Sequence, residues 1–204
     1  MPINLNIQMI DQWFKDNGDF TLNIDHPLTA DSIIWEVGGY HGLWASRMWE
    51  KYHCNIHIFD PVNSHIERIR KIFSGCDRVH VHQEALGSYS GRIGIHEAGD
   101  ASFITRDILG AKEVTDIIKV SDLIKDTARI DLMNINIEGM EYELLFDLLI
   151  NDVIKKIDII QIQFHNSLPN AETMRFIIRK WLGITHEETY CYDFVWECWK
   201  LKNG

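Results

Sequence analysis

Short apolar runs alternate along the chain with segments whose apolar residues recur every three to four positions, and the period changes near glycines or turn-forming pairs. Residues 6–16 (NIQMIDQWFKD) place Ile7, Ile10 and Phe14 at helical spacing and stop at Asn17-Gly18, which predicts an N-terminal helix packed on the main body. Residues 32–37 (SIIWEV) form an apolar run that meets a glycine cluster, and helical spacing resumes over 43–51. The succession continues with a strand at 55–59, a helix at 64–73 and a strand at 79–83. It resumes with strand 131–137, helix 141–150, strand 158–164 and helix 171–182. Such alternation predicts an α/β fold built on a doubly wound, mostly parallel sheet. Between 86 and 120 the pattern gives way to loops and small strands, at 92–96 and 114–120. Segments 189–192 and 194–201, with only Asp193 between them, read as an antiparallel C-terminal edge or as one bent strand.

Composition narrows the class. A chain of 204 residues, 46% hydrophobic and 25% charged, is that of an ordinary globular protein, and no repeat or linker divides it. We therefore expect one domain over 1–204, with 1–30 as helix and lead-in. Twenty Lys+Arg against thirty Asp+Glu give a net charge of −10, which argues against nucleic acid or an anionic membrane surface as partner. The four cysteines, at 54, 76, 191 and 198, form no CxxC pair, and the first residues lack the pattern of a signal peptide. The expected location is cytoplasmic, with reduced thiols. The longest apolar runs, such as 144–150 with Asp147 inside, fall short of the ~20 residues that cross a bilayer, so no integral membrane association is expected.

Open parallel sheets bind ligands at the carboxyl ends of their strands, so five strand ends carry the candidate chemistry. The first, EVGGYHG (Glu36 to Gly42), has glycines at 38, 39 and 42 that allow a sharp turn and close approach of a ligand to the next helix. A dinucleotide fingerprint from Gly38 needs glycine at 40 and 43, which hold Tyr40 and Leu43, so NAD is disfavoured. At the second, Asp60 follows Glu36 by 24 residues, close to the ~20 at which an acid accepts hydrogen bonds from a ribose. The third (HQEALG) puts Glu84 and Ala85 where the rest of a nucleoside could lie. The fourth (DLMNINIEGMEYELL) sets Asn134 and Asn136 on one strand face, with Glu138 at the exit. The fifth (QIQFHN) ends a strand in His165. Taken singly, each has a plain structural reading: a glycine turn, an Asp-Pro turn, a solvated acid, hydrogen-bonded core amides, a hydrogen-bonded histidine.

In order along the chain, these segments resemble the FkbM family of class I methyltransferases, which use S-adenosylmethionine (SAM). The resemblance spans about 32–166 and rests on EVGGYHG, FDP, EALGSYSG, DASF, VSDLI, DLMNINIEGMEYELL and QFH. It implies a Rossmann-like fold and SAM as cofactor. It implies that Glu36, Gly38 and Gly42, with Gly39 in the same loop, hold the methionine end, Asp60 the ribose, and Glu84 with Ala85 the adenine. It also implies O-methylation of a hydroxyl on a sugar or secondary metabolite, hence a small hydroxylated acceptor. Three positions depart from the family pattern: Tyr40 stands for the usual Asn, and Asn134 and Asn136 for Lys and Asp.

Methyl transfer to a hydroxyl needs alignment first and proton removal second. His165 is the expected base, because an unperturbed imidazole (pKa ≈ 6.5) is largely neutral at cellular pH, with Asn136 and Glu138 shaping the junction and His41 in reserve. No metal is expected. His80 and His82 share a strand face and His53 and His57 lie near a strand start, but no carboxylate accompanies them at ligand spacing. Two other classes compete: a non-catalytic SAM-binding module and an NAD-dependent oxidoreductase.

Overall fold

The computed structural model describes residues 3–98 and 101–202, so Asp100 of the DASF segment lies outside the described residues. Helix α1 (Ile3–Lys15) precedes a sheet built in the expected succession: β1 (Ile33–Val37), α2 (Leu43–Tyr52), β2 (Asn55–Phe59), α3 (Asn63–Ile72), β3 (Val79–His82). Four short strands follow, β4 (Glu84–Gly87), β5 (Gly91–Ala98), β6 (Ala101–Thr105) and β7 (Glu113–Lys119), and then α4 (Val120–Lys125). The large sheet resumes with β8 (Ile130–Ile135), α5 (Glu141–Ile150), β9 (Ile157–Ile162), α6 (Ala171–Thr185), β10 (His186–Tyr192) and β11 (Trp196–Leu201).

Seven strands pair in the order β10-β11-β9-β8-β1-β2-β3. All neighbours are parallel except the β10–β11 and β11–β9 pairs, so the fold is α/β and doubly wound with an antiparallel edge made by a C-terminal hairpin. Asp193 to Val195 turn that hairpin, with Phe194 at φ 55°, which excludes the single bent strand. Helices cover both faces, which is why the central strands read as unbroken apolar runs. Alternate residues go to opposite layers: Val37, Phe59 and Ile135 join Leu145 and Leu148 of α5, while Ile34, Ile56 and Leu132 join Ala45 and Met48 of α2. Order reverses between β1 and β8, and a crevice opens at their carboxyl ends.

The small strands expected at 92–96 and 114–120 are present as β5 and β7, and they join β4 and β6 in a second, four-stranded sheet in the order β4-β7-β5-β6, with a satellite core of Ala85, Ile93 and Ile117. On α1, Ile7, Ile10 and Phe14 are exposed, and Trp13 is buried. Trp13 donates its indole N–H to Asp19 at 2.8 Å and packs against Tyr190, Tyr192 and Trp196 of the hairpin, which turns the aliphatic face outward. No helix among the described residues is long and apolar enough to cross a membrane.

Candidate functional site

The loop after β1 is shaped by contacts that leave no room for side chains. Gly38 (φ +94°) donates to Phe59 O at 2.9 Å, and a Cβ there would lie 2.0 Å from Asn136 O. At Gly39 a Cβ would lie 2.4 Å from Ile58 Cγ2, and Gly42 (φ +72°) precedes α2 in a conformation that favours glycine. Asp60, buried at the end of β2, braces this loop: Oδ2 accepts the Tyr40 N–H (2.8 Å), while Oδ1 accepts the Val62 N–H (2.9 Å) and lies 3.1 Å from His65 Nδ1. A carboxylate offers about four lone pairs, so Oδ2 can still accept from a ligand.

Two adjoining cavities open here. The larger, about 390 Å³, is floored by Gly38, Asp60 and Asn136, walled by Val62, Ile95 and Ile104, and reached by Glu138. Two of its walls, Ile95 and Ile104, come from the second sheet. The smaller, about 140 Å³, shares Gly38, Tyr40 and Asn136 with it and adds Glu36, Gly39 and His41, whose ring stacks on Tyr40. Four buried oxygens in its lining have no hydrogen-bond partner in the protein: Asn23 Oδ1, Glu36 Oε2, Asn134 Oδ1 and Asn136 Oδ1. Burial pushes the Glu36 carboxyl well above its ordinary pKa, Asp60's charge pushes the same way, and the Ala45 N–H pulls against them. Unpaired buried acceptors are costly, so this end of the trough favours a cationic donor group.

The structure thus brings Glu36, Gly38, Gly39, Asp60, Asn136 and Glu138 into one place. Gly42 shapes the loop from behind, its added Cβ facing Ile69 of α3. Glu84 and Ala85 do not join them, because the chain leaves the large sheet at Gln83. Glu84 then lies 3.9 Å from His82, and Ala85 is buried in the satellite core. His165 lines neither cavity. Its backbone N–H and Nδ1 lie 2.7 and 3.0 Å from Oε1 of the fully buried Glu141, and its Nε2 is 3.5 Å from Glu138. Burial lowers the imidazole pKa, but Glu138 and Glu141 outweigh it and lift it to about 9. These two carboxylates favour the imidazolium over the neutral ring that a base role for His165 calls for, and the hydrogen bond from His165 in turn lowers the pKa of Glu138.

Sequence reasoning missed Glu141, whose Oε2 also accepts the Gly139 N–H at 2.8 Å and so fixes the loop that carries Glu138. An acid opening a helix reads as an ordinary cap. It also missed Asn23 and Trp196, which come from outside every motif. Among the described residues, the one cluster with metal-ligand spacing is Glu188, Cys191 and Glu197, whose carboxylates already pair with Arg175 and Arg179.

The His165 cluster makes a pH prediction. Its pKa rises on folding, so the pairing stabilises the fold fully below about pH 6.5 and is lost as pH climbs through about 9. Urea denaturation at pH 6.5, 8 and 10 should show the wild type losing on the order of 2 kcal/mol more than His165→Gln across that window. Parallel losses would contradict the pairing.

No protein-family model matches the sequence, and no curated protein matches it significantly. Solved structures do match. Methanococcus jannaschii fibrillarin, a pre-rRNA processing protein, aligns with TM-score 0.52 at 10% identity over 88% of this chain and 70% of its own. A candidate rRNA methylase from Clostridium thermocellum aligns with TM-score 0.51 at 8% identity, over 86% and 91%. An S-adenosylhomocysteine-bound Podospora anserina methyltransferase aligns with TM-score 0.48 at 12% identity, over 84% and 72%. These matches correct one expectation, that of a small-molecule acceptor with nucleic acid excluded, because proteins of this fold include ones named for rRNA. Net charge sums the whole surface, whereas charges beyond a Debye length of about 8–10 Å are largely screened, so a value of −10 does not decide what one mouth binds. Topology, crevice and structural matches agree that the chain has the Rossmann-like fold of the class I, SAM-dependent methyltransferases.

Proposed function

We propose that this chain is an FkbM-type methyltransferase that takes its methyl group from SAM and delivers it to a hydroxyl oxygen of a sugar unit, with RNA ribose included in that acceptor class. The observation that carries the reading is the trough itself: an acid braced at the β2 end, apolar walls beside it, and unpaired oxygens at the far end. The residues present fit SAM. Asp60 would take the ribose, Val62, Ile95 and Ile104 the adenine, and Glu36 with Asn134 the amino-acid end. When bound, SAM supplies an electrophilic methyl on a positively charged sulfur. Asn136 and Glu138 border the trough at the opening, where an acceptor hydroxyl can be aligned, and Glu138 is the ionised group available to receive its proton. His165 acts through Glu138 as a positioning residue, anchored in turn by Glu141.

The order of motifs supports the FkbM assignment, and the neighbours named for rRNA motivate the nucleic-acid arm of the test. Transfer of tritiated methyl from SAM should be measured on structured RNA and on a panel of glycosides. Label on either polymer ribose or glycoside hydroxyl supports the reading and selects the acceptor. Label recovered on nitrogen or carbon overturns O-methylation. Binding of SAM with no transfer to any acceptor leaves the non-catalytic binding module.

A further inference from the structure

We infer that His57, His80 and His82, at the β3 edge of the large sheet, form a site for a divalent transition-metal ion of the zinc class. The three imidazoles lie on one face of the sheet: His57 of β2 is the register partner of His80 on β3, and His80 and His82 are two residues apart on that strand. His57 Nδ1 and His82 Nε2 stand 3.1 Å apart. Two imidazole nitrogens on one tetrahedral zinc ion, each at about 2.0–2.1 Å from it, are separated by roughly 3.3–3.4 Å, so a rotation of the rings lets this pair share an ion. The third ligand is His80, whose ring centroid is 4.7 Å from that of His57 and whose exposed side chain has room to turn inward. Water completes the four.

The surroundings hold two of the rings in place. His82 lies flat on the buried Phe59, with centroids 4.5 Å and planes 12° apart, and His57 packs beside Trp35 at 6.1 Å. On its other side His82 Nδ1 is 3.9 Å from Glu84 Oε1. A carboxylate there favours the tautomer protonated at Nδ1 and leaves the Nε2 lone pair facing His57, the way outer carboxylates orient histidine ligands. Imidazole ligands suit zinc, nickel or copper, whereas magnesium and calcium call for oxygen. The trio Glu188, Cys191 and Glu197 has its ligand atoms closer together, but its carboxylates are held by Arg175 and Arg179. None of the three histidines lines either cavity, so this site is separate from the trough assigned to SAM. It lies where the chain leaves β3 through Gln83 for β4, and an ion there would tie β2 to β3 beside the crossing between the two sheets.

The test is calorimetric titration of the chelator-treated, tag-free chain with zinc chloride, beside thermal melts in zinc and in magnesium. One zinc ion per chain should bind, and zinc at about a hundredfold excess over its Kd should raise the melting temperature by roughly 5–10 °C, with no such rise in magnesium. His80→Ala and His82→Gln should each weaken zinc binding at least about tenfold, a loss that even outer partners of a metal site can cause. Cys191→Ser should leave it unchanged. His80 is exposed, so the zinc-free melting temperature of His80→Ala should match that of the wild type, which separates loss of a ligand from misfolding. No saturable zinc binding by the wild type, binding that survives intact in folded His80→Ala, or binding lost in Cys191→Ser overturns the site and leaves His57 and His82 as a hydrogen-bonded pair only.

Discussion

Glu36→Gln should raise the melting temperature of the free protein and, at the same time, weaken SAM binding at least tenfold. The carboxyl is 3% exposed, one of its oxygens has no partner, and burial with Asp60's charge raises its pKa well above the ordinary value. The sign follows from linkage. An acid whose pKa rises on folding favours the fold below its unfolded pKa of about 4.5, and that contribution is lost as pH rises through the folded value. Above its unfolded value the carboxyl therefore opposes folding, either as a buried charge or through the proton it must take up. Glutamine keeps the shape, drops the charge and gains N–H groups for the orphaned amide oxygens nearby, which should add several degrees at ~2–4 °C per kcal/mol for a chain of this size. A cationic ligand reverses the preference: losing a charge-assisted hydrogen bond of about 1.5–3 kcal/mol corresponds to roughly ten- to hundredfold in affinity. Thermal melts with and without S-adenosylhomocysteine check both halves. A variant less stable than wild type when free, or one that binds as tightly, contradicts the account of Glu36.

Glu138→Gln should leave S-adenosylhomocysteine affinity nearly unchanged and lower single-turnover methyl transfer by roughly 10²–10⁴, the usual contribution of a positioned general base. Glu138 reaches the larger cavity from a left-handed backbone position (φ 53°), between Asn136 and Gly139. Such a conformation is strained for a residue with a side chain, and strain of this kind collects at functional sites. The Glu141 and His165 bonds hold it in place. His165→Gln should retain SAM binding and lose less activity than Glu138→Gln, because it removes the support and leaves the carboxylate. It should also flatten the decline in rate expected of the wild type above about pH 9, where the imidazolium would deprotonate. Full activity in Glu138→Gln would remove the carboxylate from the chemistry and return attention to His41, which lines the smaller cavity.

The parts of this site legible in the sequence are those fixed by local backbone demands. EVGGYHG could be read because Gly38 and Gly42 stand at positive φ and a Cβ at Gly38 would strike Asn136 O. Asp60 could be read because a strand end in a parallel sheet is fixed by period and spacing. The parallel strands, apolar on both faces, were equally plain. What stayed hidden depends on tertiary packing. Glu84 and Ala85 read as the end of a third strand, but one residue, Gln83, separates two strands that belong to different sheets. On α1 helical spacing could not choose between an aliphatic face and Trp13, and the aromatic residues of a hairpin some 180 residues away decided it. His165 was placed correctly at a strand end, yet its charge state depends on Glu141, a partner on another element that no spacing reveals.

The central claim is that the paired cavities at the β1, β2 and β8 ends hold SAM. Calorimetric titration of the wild-type chain with S-adenosylhomocysteine, and separately with NAD, tests it most directly. The expected result is one saturable site for S-adenosylhomocysteine, weakened by Asp60→Ala, and no comparable binding of NAD. Tighter binding of NAD, or S-adenosylhomocysteine binding that Asp60→Ala leaves untouched, would contradict it.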